Sequence, residues 1–319
     1  MRIVFMGTPE FAVPSLEALL QSEDQVVGVV TQPDRPKGRG QQLTPSPIKV
    51  IAHREGIPLL QPLKMKAPEF LEPLAAWKPD LIAVTAFGRI LHPGILGMPP
   101  MGCVNVHGSL LPKYRGAAPV QWAVINGETE TGITTMLMDE GMDTGAMLLQ
   151  ATLPIGPDDT AGSLAPRLAA LGGRLLVETI RQLKAGTLKP VPQDHTQATM
   201  APLLKKEDGA IDWTLSAAAL ANRVRGLSPW PGAYSFLNGE RWTLWKASVL
   251  PGTGSAVPGT IVTVGRQSLQ IATGNGLLEV TEVQPANSRR LTVAQYLAGH
   301  CVATGGRFDS GPPLSERRP

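Results

Sequence analysis

Short apolar runs separated by helix-length segments fill the first half of the chain, and this alternation constrains the fold more than any single residue. Arg2-Ile3-Val4-Phe5-Met6-Gly7 reads as a buried strand, because an apolar run of this length bounded by a turn is too short for a helix. Thr8-Pro9 then turns the chain toward a helix near Pro14 to Leu20, where Leu16, Leu19 and Leu20 fall at helical spacing. Val26 to Thr31, Leu81 to Ala86, Val104 to His107 and Gly132 to Met138 supply further strands, and Pro68 to Trp77 a further helix. Strands alternating with helices predict an α/β fold with a parallel, doubly wound, Rossmann-like sheet. Thr160 reads as the N-cap of a last helix, whose stripe of Leu164, Leu168, Leu171, Leu175 and Leu183 ends at Gly186.

After that helix the pattern changes. Thr187 to Gly209 is polar and proline-containing without a clear period, as expected of a linker. Beyond it, Ser216 caps a short helix through Val224, and an Asn238-Gly239 turn joins two β-rich arms between Tyr234 and Leu244. Gly259 to Val264, Leu269 to Ala272 and Leu277 to Val283 add short strands. The pattern predicts a small OB-like β-barrel, the five-stranded type that binds nucleic acids, with a loosely held tail after Thr304. The expected division is a domain over 1–188, a linker over 189–208 and a second domain over 209–319.

With 319 residues there is ample material for two cores. Cys103 and Cys301 stand far apart in unlike contexts, which argues against a disulfide framework and for a reducing compartment. The N-terminal apolar run is too short for a signal peptide, and no segment approaches a membrane span; a cytoplasmic protein with no membrane partner is expected. Net charge is +3, and from Leu204 onward twelve basic residues face eight acidic ones. That mild surplus in the C-terminal third suits a polyanionic partner without requiring one.

The chemistry concentrates in Cys103-Val104-Asn105-Val106-His107-Gly108-Ser109-Leu110-Leu111-Pro112. Side chains alternate faces along a strand, so Cys103, Asn105 and His107 share one side and Val104 and Val106 the other. An amide and an imidazole then point together near the carboxyl edge of an open sheet, where ligands bind. Asp139-Glu140-Gly141-Met142-Asp143-Thr144-Gly145 follows the Gly132 to Met138 strand, and Asp143, between flexible glycines, can bring a carboxylate to the same place. Histidines 53, 92, 195 and 300 lack such company and are read as structural. Cys103 lies deeper in an apolar strand, where an inert thiol is expected. No HExxH or CxxC occurs, so no metal is implied. The first strand runs into Gly7-Thr8-Pro9-Glu10 instead of GxGxxG, which removes the dinucleotide reading. Thr31 to Gln42 forms a Gly- and Pro-rich loop carrying Arg35, Lys37 and Arg39, which reads either as a solvated surface turn or as cations that could clamp phosphates beside the ligand edge of the sheet.

Val104 to Pro119 resembles the signature of enzymes that use 10-formyltetrahydrofolate, and Met138 to Gly145 resembles their second motif. End to end, the chain resembles the methionyl-tRNA formyltransferase family; Thr31 to Gly40 resembles its tRNA loop, and Ile211-Asp212-Trp213, Pro229-Trp230-Pro231 and Trp245-Lys246-Ala247 resemble its C-terminal barrel. The resemblance implies catalysis by Asn105, His107 and Asp143, with 10-formyltetrahydrofolate as co-substrate and initiator methionyl-tRNA as acceptor. It implies a folate pocket formed by Phe87, Gly88, Arg89, Ile90 and Leu91 with Ser109, Leu110, Leu111 and Pro112. It also implies tRNA contacts at Arg35, Lys37 and Arg39, and a monomer is expected. The chain departs from the family with Phe87 in place of tyrosine, His92 in place of proline, and Gln41-Gln42 where lysines occur. Glycinamide ribonucleotide formyltransferase or formyltetrahydrofolate hydrolase would use a similar trio, and a silent tRNA- or folate-binding protein is the alternative from another class. The basic C-terminal region and the intact trio favour the tRNA enzyme.

Overall fold

The structure, a computed structural model, describes residues 1–37, 42–250, 252 and 256–309. In chain order the first elements are β1 (Arg2–Gly7), α1 (Val13–Leu20), β2 (Gln25–Val30), β3 (Arg35–Lys37), β4 (Gln42–Thr44), α2 (Pro47–Arg54), β5 (Leu59–Leu60), α3 (Pro68–Ala76) and β6 (Leu81–Thr85). There follow α4 (Pro93–Leu96), β7 (Cys103–His107), α5 (Pro119–Ile125), β8 (Glu130–Leu137), β9 (Met147–Pro154) and α6 (Ala161–Lys184). Two compact units result: one from 1–119, 130–154 and 165–202, the other from 120–129, 155–164 and 203–319.

The sheet of the first unit runs β5-β2-β1-β6-β7-β8-β9. Its five strands from β5 to β7 are parallel, in the Rossmann-like manner. The parallel, doubly wound sheet expected from the alternation is extended at the other edge, where β8 is antiparallel to both β7 and β9. No helix separates β8 from β9, and a direct turn can join only antiparallel neighbours. One sheet face buries Val4, Met6, Ile82, Val84 and Cys103 with Phe70 and Leu74 of α3. On the other, α6 approaches so closely that a Cβ on Gly172 would stand 2.9 Å from Val106 and one on Gly173 2.5 Å from the Pro14 carbonyl.

Residues 189–202, expected to be a tether, belong to this first unit. Val191 and Met147 exchange backbone hydrogen bonds at 2.8 Å, and Thr199 and Ala201 pair with Arg115. The segment is polar and aperiodic because it bonds to loops.

In the second unit come α7 (Ala217–Gly226), β10 (Ala233–Leu237), β11 (Glu240–Leu250), β12 (Ile261–Val264), β13 (Leu269–Ala272), β14 (Leu277–Pro285), β15 (Leu291–Thr292), α8 (Val293–Leu297) and β16 (Phe308–Asp309). The Ser216 side chain caps α7 by accepting from the Ala219 amide. The β10–β11 hairpin turns at Asn238 and Gly239 with φ of 52° and 78°, the two positive values that the primed two-residue turn requires. Strands follow the order β12-β13-β14-β11-β10-β16, and a bridge from Thr260 to Arg307 brings the two ends of the sheet together. The result is a curled antiparallel sheet of OB-like form. The tail after Thr304 is not loose as far as residue 309: Phe308 is 1% exposed and lies 5.7 Å from the Trp213 ring and 5.8 Å from that of Trp242. Removing a buried ring of this size costs about 3–5 kcal/mol. Phe308→Ala should therefore lower stability by that amount in urea unfolding followed by tryptophan fluorescence, whereas a loss under about 1 kcal/mol would contradict the packing.

Candidate active site on strand β7

Three separate segments meet over one face of β7. The strand presents Asn105 and His107, 9% and 5% exposed. The loop after it contributes Tyr114 and Gly116, and the β8–β9 turn contributes Asp143. The Asn105 amide donates to Asp143 Oδ1 at 3.4 Å, and His107 Nδ1 lies 3.6 Å from Asp143 Oδ2. The same Oδ2 accepts from the Gly116 backbone amide at 2.9 Å. His107 Nε2 stands 2.8 Å from the Tyr114 carbonyl. A carbonyl can only accept, so Nε2 carries a proton and, in the neutral ring, Nδ1 holds the lone pair facing the carboxylate.

The acidic turn is pinned rather than flexible. Asp139 Oδ1 accepts from the Gly141 amide at 3.0 Å and from the Thr144 hydroxyl at 2.7 Å. Asp143 itself takes a positive φ of 54°. The flanking glycines serve close approach: a Cβ on Gly145 would overlap the Leu137 carbonyl, and one on Gly141 the Thr144 hydroxyl. Gln193 lies beneath the turn and donates to the carbonyls of Asp143 and Gly145, both at 2.8 Å. Sequence reasoning did not name Gln193, Arg115 or Gly116 among the site residues: Arg115 and Gly116 stand in the loop after β7, and long-range bonds to Asp143 and Arg115 bring Gln193 there.

The residues that the resemblance assigns to folate take varied places. Ser109 is buried, and its hydroxyl donates to the Lys113 carbonyl at 2.6 Å. Leu110 is half-buried and Leu111 buried. The Leu111 amide donates to Thr134 Oγ1 at 3.0 Å, its carbonyl accepts from Gln150 at 2.9 Å, and it precedes half-buried Pro112 through a cis peptide bond. Phe87 and Leu91 are packed in the core cluster behind β6. Gly88 has a φ of 74°, Arg89 donates to the Leu63 carbonyl at 2.8 Å, and Ile90 is 75% exposed. A cleft of about 330 Å³ beyond the carboxyl ends of β1 and β2 is lined by Thr8, Gln32, Arg35 and Ser46 among others. Exposed Arg35 donates to Gln32 Oε1 at 2.7 Å, Lys37 lies on β3, and Arg39 falls outside the described residues.

The other polar candidates fall elsewhere. Among the described residues no three His, Cys, Asp or Glu side chains converge as a metal-binding group, and no helix is long and apolar enough to cross a membrane. His92 caps α4 by accepting from the Gly94 amide, and His300 stacks on Tyr296. Burial pushes the Cys103 thiol up to about 12, so the thiolate is absent at neutral pH and the residue is no nucleophile. In a thiol titration at pH 8, exposed Cys301 should react in the native protein while Cys103 reacts only after denaturation. Two fast thiols in the native state would contradict this burial.

The formyl transferase family matches residues 1–180, and the C-terminal domain of formyl transferases matches residues 203–301. A methionyl-tRNA formyltransferase from Desulfotalea psychrophila is 56% identical over 299 residues, covering 94% of this chain and 93% of its own length. Among solved structures, WlaRD, a sugar 3N-formyl transferase crystallised in the presence of dTDP and 5-N-formyl-THF, superposes with a TM-score of 0.66. It is 18% identical and covers 91% of this chain and 99% of its own. Glycinamide ribonucleotide transformylase 1 from Symbiobacterium toebii, 23% identical with a TM-score of 0.51, covers 61% of this chain and 94% of its own. At these identities the two structures share the fold.

Proposed function

The chain belongs to the formyl transferase family, and on that premise we propose that it formylates the α-amino group of methionine on initiator tRNA with 10-formyltetrahydrofolate as donor, acting as a cytoplasmic monomer. The observation that carries this reading is that Asn105, His107 and Asp143 meet on one strand face in a chain alike from end to end to a methionyl-tRNA formyltransferase. The purine-pathway transformylase covers only 61% of the chain, so that alternative leaves the match over 203–301 without a purpose.

In the proposed reaction the neutral α-amine attacks the formyl carbon, a C–N bond forms to the methionine nitrogen, and the bond to N10 breaks. The carbonyl oxygen carries negative charge in between. Asn105 Nδ2 bears two protons, of which one faces Asp143; the other is assigned to the oxyanion, a donor worth roughly 2.7–4 kcal/mol. A proton must leave the attacking amine and reach N10. His107 Nδ1, with its lone pair beside Asp143, is the group assigned to carry it, directly or through water, and Asp143 stabilises the imidazolium that forms. Ser109 to Pro112 and Phe87 to Leu91 are proposed to frame the folate, the second unit to bind tRNA, and Arg35, Lys37 and Arg39 to meet its phosphates.

Incubation with 10-formyltetrahydrofolate and charged initiator tRNA should yield formylmethionyl-tRNA; turnover of a purine precursor instead would overturn the reading. Asn105→Ala should lower kcat about 10²–10³-fold with KM little changed, as loss of a transition-state donor does. Arg39→Ala should raise the KM for tRNA, reduce its salt dependence by a slope of about 1 and spare the folate KM. Unchanged tRNA kinetics would remove the loop from the binding surface.

A further inference from the structure

Gln193 lies in the aperiodic segment after α6, yet its side chain joins two of the loops that build the site. Its Oε1 accepts from Arg115 Nε at 3.0 Å and from a second Arg115 nitrogen at 2.7 Å. Its Nε2 donates to the backbone carbonyls of Asp143 and Gly145. Guanidinium nitrogens only donate and carbonyl oxygens only accept, so the amide has one permitted orientation. Gln193 and Arg115 are each 6% exposed, and at such burial an unmade hydrogen bond is costly. Arg115 also reaches His195 Nδ1 at 3.1 Å.

The same segment braces the loop on the other side of Asp143. The Arg115 amide donates to the Thr199 carbonyl at 2.8 Å, and its carbonyl accepts from Ala201 at 2.7 Å. The Tyr114 amide donates to Thr199 Oγ1 at 2.9 Å. Tyr114 and Gly116, on either side of Arg115, supply the carbonyl that fixes His107 and the amide that holds Asp143. A non-glycine residue at positive φ persists only where its surroundings over-determine it, and at Asp143 the two Gln193 bonds add to the Asp139 bonds within the turn and the Gly116 bond to the carboxylate.

We propose that Gln193, oriented by Arg115, is a positioning residue for formyl transfer: it pins the Asp143 turn so that the carboxylate stays against the Gly116 amide and the His107 ring. The inference rests on the proposed role of Asp143 in proton movement. Gln193 touches no reacting atom and acts through Asp143.

The test compares wild type with Gln193→Glu, Gln193→Ala, Asp143→Ala and the double variants, measuring kcat, KM for both substrates and Tm. Gln193→Glu keeps the shape and the acceptor for Arg115 but turns an acceptor toward two carbonyls, so it is expected to fold and decides the matter if Gln193→Ala does not. Expected is a fall in kcat of about 10–100-fold with KM values within about threefold, since misplacement of a catalytic group slows the chemical step more than binding. The Gly116 amide should also exchange hydrogen faster. In the Asp143→Ala background either Gln193 change should alter kcat by less than about twofold, because residues acting as one unit are not additive. A Gln193→Glu enzyme with near wild-type kcat, or losses that multiply in the double variants, would overturn the inference. Wild type that formylates no methionyl-tRNA would instead overturn the reading on which it rests.

Discussion

The backbone amide of Gly116 reaches Asp143 Oδ2 at 2.9 Å, and this bond ties the loop after β7 to the turn after β8 over the face that carries Asn105 and His107. A charge-assisted bond from a backbone donor fixes a carboxylate more firmly than an exposed side-chain pair would. The rest of the site follows from it. With Oδ2 held there, Oδ1 faces the Asn105 amide and His107 Nδ1 faces Oδ2. The antiparallel edge of the sheet makes this possible, because the β8–β9 hairpin folds an acidic turn back over β7 where a parallel crossover would have placed a helix.

Burial sets the division of labour along β7. Cys103, Asn105 and His107 share the face that the sheet alternation assigns them, yet Cys103 Sγ donates to the Ile95 carbonyl at 3.7 Å while the other two meet the Asp143 carboxylate. Cys103 is enclosed by the core and its thiol is held protonated, whereas Asn105 and His107 meet a carboxylate and a carbonyl. A strand thus changes from core to chemistry within a few residues, at the point where the Asp143 turn and the Tyr114–Gly116 loop replace packed side chains.

Much of this was legible in the sequence because it is local. The runs at Arg2–Gly7 and Cys103–His107, the Ser216 cap and the Asn238-Gly239 turn each depend on near neighbours. The edge strand Met147–Pro154 did not show itself, since its alternate residues are exposed and Gln150, Thr152 and Pro154 blur its apolar pattern. Phe308 follows a glycine-rich stretch and becomes core only through Trp213 and Trp242. Gln193 looked like linker because its partners stand far away in sequence, at Asp143 and Arg115. The catalytic candidates were visible as residue types, and the framework that aims them was not.

The most direct test of the account is the single-turnover rate of formyl transfer by Asp143→Asn at saturating 10-formyltetrahydrofolate and methionyl-tRNA. Asparagine keeps the size of the side chain and an oxygen for the Gly116 amide while removing the negative charge beside His107. The account predicts a chemical step slowed by about 10²–10⁴-fold, the range of general acid–base catalysis, with both substrates bound as before. A rate within about threefold of wild type would contradict it, since a shift that small is under one kcal/mol of transition-state stabilisation.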